Sequence, residues 1–366
     1  MDICVIGLPK SGKTTIFNAL TKGKAETAAY ASTTLAPNLG ISKVPEPRLQ
    51  ALDNIFHSKK ITPAEVRYVD IAVTAKGTVK SEGISGQLLN YLSNADALLQ
   101  VVRAFEDENV PHMDGSINPE RDMSTMDLEL IFSDLTIIER RLEKLALSLK
   151  SAKSPERDLF SKEQLLLQKI QAGLDKDIPI WQQSLTTEEM KSLSNYQFLT
   201  AKPMLVIINI GEGQLPQASS IESKLRSAYS YPRFEVVALC GKLEMELAQL
   251  NDVEAEEFRS AMELAEPALD RIINLSYYLL GLISFFTTGS DESKAWTITN
   301  GTTALKAAGK VHSDIEKGFI RAEVISFQDL IRCGNIAEAR KQGLLRLEGK
   351  NYIVQDGDVI NFLFNI

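Results

Sequence analysis

The run Gly7-Leu8-Pro9-Lys10-Ser11-Gly12-Lys13-Thr14 matches G-x-x-x-x-G-K-[ST] at every fixed position, and Thr15 follows it directly. A loop of this kind, set between a strand and a helix, turns its backbone N–H groups toward one point. There they act with the positive end of the helix to hold phosphate. Lys13 is then placed to reach the β- and γ-phosphates of a nucleoside triphosphate, and the Thr14 hydroxyl to ligate Mg²⁺. A carboxylate must help to hold that cation, directly or through water. Asp70 ends the apolar run Val66 to Val69, which is where a phosphate loop of this type finds its acidic partner. Between the two, Tyr30-Ala-Ser-Thr33-Thr34-Leu35-Ala-Pro37-Asn38 offers hydroxyls that complete the metal shell when a γ-phosphate is present. Thr34 is the expected ligand.

These groups need a particular scaffold. Asp2 to Ile6 reads as a buried strand, Gly7 to Gly12 as a turn, and Lys13 to Leu20 as a helix carrying Ile16 and Leu20 at helical spacing. Further apolar runs at Leu39 to Lys43, Val66 to Val69, Ala97 to Val102, Pro203 to Ile208 and Phe234 to Leu239 alternate with helices and loops. They predict a mostly parallel sheet covered on both faces. A different texture interrupts it. Leu128, Ile131, Leu135, Ile138, Leu142, Leu145 and Leu149 alternate spacings of three and four, the mark of a coiled-coil seam. A polar break at 151–158 and a helical stretch from Leu159 to Leu174 complete an antiparallel pair, read either as a coiled hairpin or as two helices packed on a core. From Ser284 onward short strands and turns take over, ending in a predicted hairpin of Leu345 to Val354 and Val359 to Asn365 around Asp356-Gly357-Asp358. The expected division is therefore 1–117 with 203–283 as the nucleotide-binding domain, 118–202 as an inserted helical hairpin, and 284–366 as a C-terminal module.

Composition sets outer limits. The chain has 366 residues, 44% hydrophobic and 24% charged, with a formal net charge of −8. That balance argues against coating nucleic acid, DNA included, or an anionic membrane through global charge, while leaving room for a local basic patch. Cys4, Cys240 and Cys333 are too few and too scattered for a disulfide framework or a zinc site, and only His57, His112 and His312 accompany them. The most apolar stretch, Tyr277 to Phe286, falls short of the ~20 residues a spanning helix needs. A reduced cytoplasmic protein is expected. Residues 284–366 carry ten basic and ten acidic side chains, so the −8 sits elsewhere and composition gives RNA contact no support of its own.

Taken together, the strings resemble one family, the YchF or Obg-like ATPase branch of the translation-factor-class P-loop NTPases. The resemblance runs end to end. It includes Thr34-Leu-Ala-Pro-Asn-Leu-Gly, Val44-Pro-Glu-Pro-Arg-Leu, Val101-Val-Arg-Ala-Phe-Glu-Asp and Leu199-Thr-Ala-Lys-Pro. In the last third it includes Ala308-Gly-Lys-Val-His-Ser-Asp, Glu316-Lys-Gly-Phe-Ile-Arg-Ala-Glu-Val-Ile and Tyr352-Ile-Val-Gln-Asp-Gly-Asp-Val-Ile. The resemblance implies an α/β fold: a P-loop NTPase G domain, an inserted α-helical coiled-coil hairpin, and a C-terminal ubiquitin-like β-grasp (TGS) domain. It also implies slow hydrolysis with Mg²⁺ and the ribosome or a ribosomal subunit as partner, with the TGS domain and the hairpin as docking surfaces, a setting in which RNA contact is expected.

Base recognition is where such a chain parts from ordinary GTPases. In place of Asn-Lys-x-Asp stands Asn209-Ile210-Gly211-Glu212. The lysine that packs on the ring is gone, and a longer glutamate displaces the acceptor for guanine. The family's Asn-x-x-Glu goes with a preference for ATP, and Cys240-Gly241-Lys242 matches the loop that frames the base. Two features bear on hydrolysis. The family's Asp-x-Ala-Gly is here Asp70-Ile71-Ala72-Val73, and valine resists backbone angles that glycine accepts. No glutamine follows to position water, while His112 matches a loop histidine regarded in the family as its substitute. Three readings follow: an ATP-preferring triphosphatase, a nucleotide-gated binding module that hydrolyses little because of Val73, and an Obg-type GTPase of ribosome assembly.

Overall fold

The strand, turn and helix expected at the N-terminus are β1 (Asp2–Ile6) and α1 (Lys13–Thr21) in the computed structural model, which describes residues 1–23, 37–71, 86–151, 153–229, 233–262, 264 and 267–365. Next come β2 (Asn38–Lys43), α2 (Pro47–Phe56), β3 (Lys60–Thr62), β4 (Glu65–Asp70), α3 (Gly86–Asn94) and β5 (Ala97–Arg103). The helices α4 (Pro119–Ser151), α5 (Ser154–Leu174) and α6 (Thr187–Leu193) precede β6 (Met204–Asn209), α7 (Ala218–Ala228) and β7 (Phe234–Leu239). Then follow α8 (Gly241–Leu247), α9 (Asp252–Ala261), α10 (Ala268–Leu279), β8 (Leu282–Thr287) and β9 (Glu292–Thr299). The chain closes with α11 (Ala304–Val311), α12 (Ser313–Lys317), β10 (Phe319–Ser326), α13 (Phe327–Cys333), α14 (Ile336–Lys341), β11 (Arg346–Glu348) and β12 (Asp358–Phe364). Two compact units result, Met1–Gly40 with Arg67–Leu269, and Ile41–Val66 with Asp270–Ile366.

The first unit is built on the sheet β2-β4-β1-β5-β6-β7. β1 pairs in parallel with β4 and β5, and β5-β6-β7 continue in parallel. Every residue of β5 and β6 is buried, as strands covered on both faces must be. The register sets Val5 beside Asp70, Arg103 beside Asn209, and Asn209 beside Leu239. It thereby gathers the carboxyl ends of these strands, the edge at which open α/β sheets bind ligands.

The helices α4 and α5 form the expected pair. Ile131, Ile138 and Leu145 are fully buried, against Leu167, Ile170 and Leu174 of α5. Leu135 and Leu142 pack half-buried against the same cluster, and Leu128 and Leu149 are half-buried as well. Arg141 forms a two-pronged ion pair with Glu163 across the pair, Nε to Oε1 at 2.6 Å and Nη2 to Oε2 at 2.9 Å. The first turns of α4 serve another core, since Met123, Met126 and Leu130 pack with the sheet residues Val102, Val206 and Val236. Where the two cores meet, buried Asp134 accepts from the Leu199 and Thr200 amides, each at 2.8 Å, and from the Thr200 hydroxyl at 2.7 Å. Burial pushes the Asp134 carboxyl up to about 6, while those donors pull it the other way.

Half-buried Asp127 lies on the same helix, and burial pushes its carboxyl up to about 7. The folded chain then holds a proton that an unfolded aspartate releases near pH ~4, so stability falls as pH rises from there to about 7. Asp127→Asn is expected to melt like the wild type near pH ~4 and above it beyond pH ~7. A melting temperature that keeps the wild-type pH slope would rule Asp127 out as its source.

In the second unit the sheet order is β11-β10-β12-β8-β9-β3, and α11 packs Ala304, Ala307 and Ala308 on Phe285, Phe319 and Phe362. β12 runs parallel to β8 and antiparallel to β10, the mixed arrangement of a β-grasp. Two sequence expectations need correcting. The final hairpin does not form: β11 pairs with β10, which separates it from β12, and the intervening chain is tied elsewhere by a bridge between Thr303 and Ile353. Residues 41–66 and 270–283, expected with the nucleotide-binding domain, pack with the C-terminal segment instead. β3 pairs with β9, Arg48 meets Asp356 at 2.7 Å and lies over Phe286, and Tyr277 hydrogen-bonds Thr297.

Candidate nucleotide-binding site

Between β1 and α1 the backbone takes left-handed or glycine-only angles three times. Gly7 has φ 144°, Lys10 φ 63° and Gly12 φ 93°. A Cβ on Gly7 would stand 2.3 Å from the Val101 carbonyl oxygen, and one on Gly12 2.2 Å from Asn209 Nδ2. The loop is seated too tightly on β5 and β6 to carry any side chain at either place. Lys13 is buried, and its Nζ donates to the Gly7 and Leu8 carbonyls, both at 2.9 Å, folding the side chain back over the loop. Burial pushes its ammonium down to about 8, against the pull of Asp70. Pro9 and exposed Lys10 form the outer bend, Ser11 is buried, and Thr15 continues α1.

Two of the three side chains expected to ligate a cation, Thr14 and Asp70, meet here. Thr14 Oγ1 donates to Asp70 Oδ2 at 3.0 Å, and Asn38 Nδ2 lies 3.4 Å from the same oxygen. Asp70 Oδ1 is buried without a hydrogen-bond partner among the described residues. An unshared carboxylate oxygen beside a threonine hydroxyl at a phosphate loop is the hard-oxygen donor set that suits Mg²⁺. Thr34 and Val73 lie outside the described residues.

At the other end of the loop, buried Asn209 ties two segments together. Its Nδ2 donates to the Ser11 carbonyl at 3.0 Å, and its Oδ1 accepts from the Gly241 amide at 2.9 Å. This side chain sets the spacing between the phosphate loop and the turn Cys240-Gly241-Lys242. Ile210 is buried, so no long side chain extends from that position over a base. The Glu212 carboxylate lies 4.0 Å from Lys242 Nζ, drawn to the ammonium across the mouth of the site.

Comparison with known proteins accords with this geometry. A family profile described as a 50S ribosome-binding GTPase matches residues 2–133. The YchF GTPase C-terminal profile, described as a protein of unknown function, matches residues 282–365. The "ribosome-binding ATPase YchF" of Bacillus subtilis (strain 168) is 40% identical over 365 residues, 99% of this chain and 98% of that protein. The chain belongs to the YchF family. The Escherichia coli O157:H7 protein of the same name is 39% identical over 362 residues, with the same coverage. The solved Schizosaccharomyces pombe YchF GTPase superposes with a TM-score of 0.86 at 30% identity, over 99% of this chain and 97% of that one.

Within this YchF chain His112 stands beside the phosphate loop, held by its own network. Its Nε2 lies 2.8 Å from Asp122 Oδ2, and its Nδ1 accepts from the Asp114 amide at 3.2 Å. With Asp122, Leu8, Pro9 and Ser11 it borders a void of about 10 Å³, room for roughly one water. Lys10 Nζ reaches the Pro111 carbonyl at 3.4 Å, linking the phosphate loop to the histidine's segment. Asn38, Asp122 and Arg121 were not expected from sequence at this site. Asn38 stood within the quoted string 34–40, but nothing local marks a side chain for a partner 32 residues away.

Proposed function

We propose that this YchF-family chain is a Mg²⁺-dependent nucleoside triphosphatase that prefers ATP to GTP and acts as a nucleotide switch on the ribosome or a ribosomal subunit. The base end carries the preference. Guanine selection needs a fixed acceptor and a stacking stem, whereas here the acceptor position carries the longer, exposed Glu212 and Ile210 is buried. Adenine makes neither demand. Asn209 and Cys240 to Lys242 still frame the ring.

Thr14 and Asp70 would hold the cation, with Thr34 as the further ligand when a γ-phosphate is present. A Mg²⁺ bound there would supply positive charge against that of the phosphates. The loop amides from Lys10 to Thr15 grip the phosphates, and Lys13 exchanges its two carbonyl contacts for phosphate oxygens. His112 acts on the attacking water in place of the missing glutamine. The names of the relatives support the ribosomal partner, with the helical hairpin and the C-terminal β-grasp as docking surfaces and RNA as the contacted chemistry. A cytoplasmic setting suits that partner, and among the described residues no helix is long and apolar enough to cross a membrane. A second reading, a nucleotide-gated binder with little hydrolysis, rests on Val73 in place of glycine.

Calorimetric titration of nucleotide-free protein with non-hydrolysable ATP and GTP analogues in Mg²⁺ tests the base assignment. The ATP analogue is expected to bind more tightly by about tenfold, the worth of roughly one hydrogen bond. Tighter binding of the GTP analogue would return Glu212 to the role of guanine acceptor and put the GTPase reading first.

A further inference from the structure

We propose that Asp122 is a positioning residue that parks His112, keeping the ring from the attacking water until the first turn of α4 moves. The inference rests on the reading of His112 as the group that acts on water. A donor faces Nδ1, the Asp114 amide at 3.2 Å, and the Arg121 guanidinium stands beside it with Nη2 at 3.4 Å. Nδ1 must therefore present its lone pair, which places the ring proton on Nε2 and directs it to Asp122 Oδ2 at 2.8 Å. Both nitrogens are committed, and the ring is 8% exposed and the Asp122 side chain 4%. An imidazole that orients or deprotonates water needs a nitrogen of its own for that water. This ring has none to spare.

The parking place is itself braced. Arg121 Nε and Nη2 donate to Asp122 Oδ1 at 2.9 and 2.8 Å, and Nη2 also donates to the Ser116 carbonyl at 2.8 Å. The Asp122 amide donates to the Asn118 carbonyl at 3.0 Å at the start of α4. His112, Asp114 and Asp122 bring three ligand atoms close together, yet Arg121 already supplies the positive charge there, so parking fits better than a second metal. The short turn Met113 to Asn118 leads from the ring into α4, so a shift of that helix acts first on the His112–Asp122 bond.

The test compares the full-length wild type with Asp122→Ala, His112→Ala and the double variant, reading kcat and KM separately. His112→Ala is expected to lower kcat with nucleotide affinity nearly unchanged. Asp122→Ala is expected to raise kcat on the order of tenfold at similar KM, a fraction of what a positioned base contributes, and the double variant should lose that gain. If Asp122→Ala instead falls toward the His112→Ala rate, Asp122 orients the ring for catalysis and parking is wrong. If His112→Ala falls while Asp122→Ala stays at the wild-type rate, parking alone is overturned. Unchanged turnover in His112→Ala overturns the water-activating role itself. Should Asp122→Ala not fold, long-range ¹H–¹⁵N spectra of the wild type decide: the proton of His112 is expected on Nε2, and a proton on Nδ1 overturns the proposal.

Discussion

Lys13→Met is expected to weaken ATP binding on the order of a hundredfold or more and to bring hydrolysis to background. Each hydrogen bond to a charged group is worth about 1.5–3 kcal/mol, and an ammonium bridging two phosphates supplies at least two. The side chain is ready for the exchange, since its contacts are the carbonyls of Gly7 and Leu8 within the same loop. Methionine matches the length of the stem but leaves those carbonyls and the phosphates without a donor. Calorimetry with the ATP analogue checks the result. Affinity within about threefold of the wild type, less than one neutral hydrogen bond, would mean that the loop amides do the binding alone.

The second large effect concerns stability. Asp134→Ala leaves two buried amides and the Thr200 hydroxyl without their acceptor. An unsatisfied buried donor costs about 1–3 kcal/mol, so after relief of the carboxylate's own desolvation the net loss is about 3 kcal/mol. For a unit of this size that is roughly 6–12 °C in melting temperature. The damage spreads, because the Thr200 hydroxyl also accepts from the Ile180 amide at 3.2 Å. Asp134→Asn should fall between the two, since its NH₂ group must face one of the amide donors. A melting temperature within about 2 °C of the wild type, less than the loss of one hydrogen bond, would show that water replaces the carboxylate.

What could be read in the sequence was what is written locally. The phosphate loop lies in eight consecutive residues between an apolar run and a helix, and β1 occupies the expected Asp2–Ile6. The seam of α4 was equally plain, because a periodic pattern repeats its evidence. Asp122 and Asp134 were not legible. Both are acids on a long charged helix, where most acids are solvated, and the partners of Asp134 stand 65 and 66 residues away. The pairing of β11 with β10 was missed for a related reason. Asp356-Gly357-Asp358 is a sound turn signal, but a turn does not dictate which strand its flanks meet. Residues 41–66 were assigned by neighbourhood, whereas Arg48 finds its ion pair with Asp356, 308 positions on.

The two cores along α4 give that helix mechanical meaning. Its 33 residues make a rod about 50 Å long. One end is packed on the sheet, the other extends with α5, and Asp134 clamps it at the changeover. The packed turns and the clamp fix its first half, and about 26 Å from Asp134 to Ser151 extends beyond them with α5. A load on that outer arm is carried back to the clamp, whose partner Thr200 stands four residues before β6, the strand that ends in Asn209.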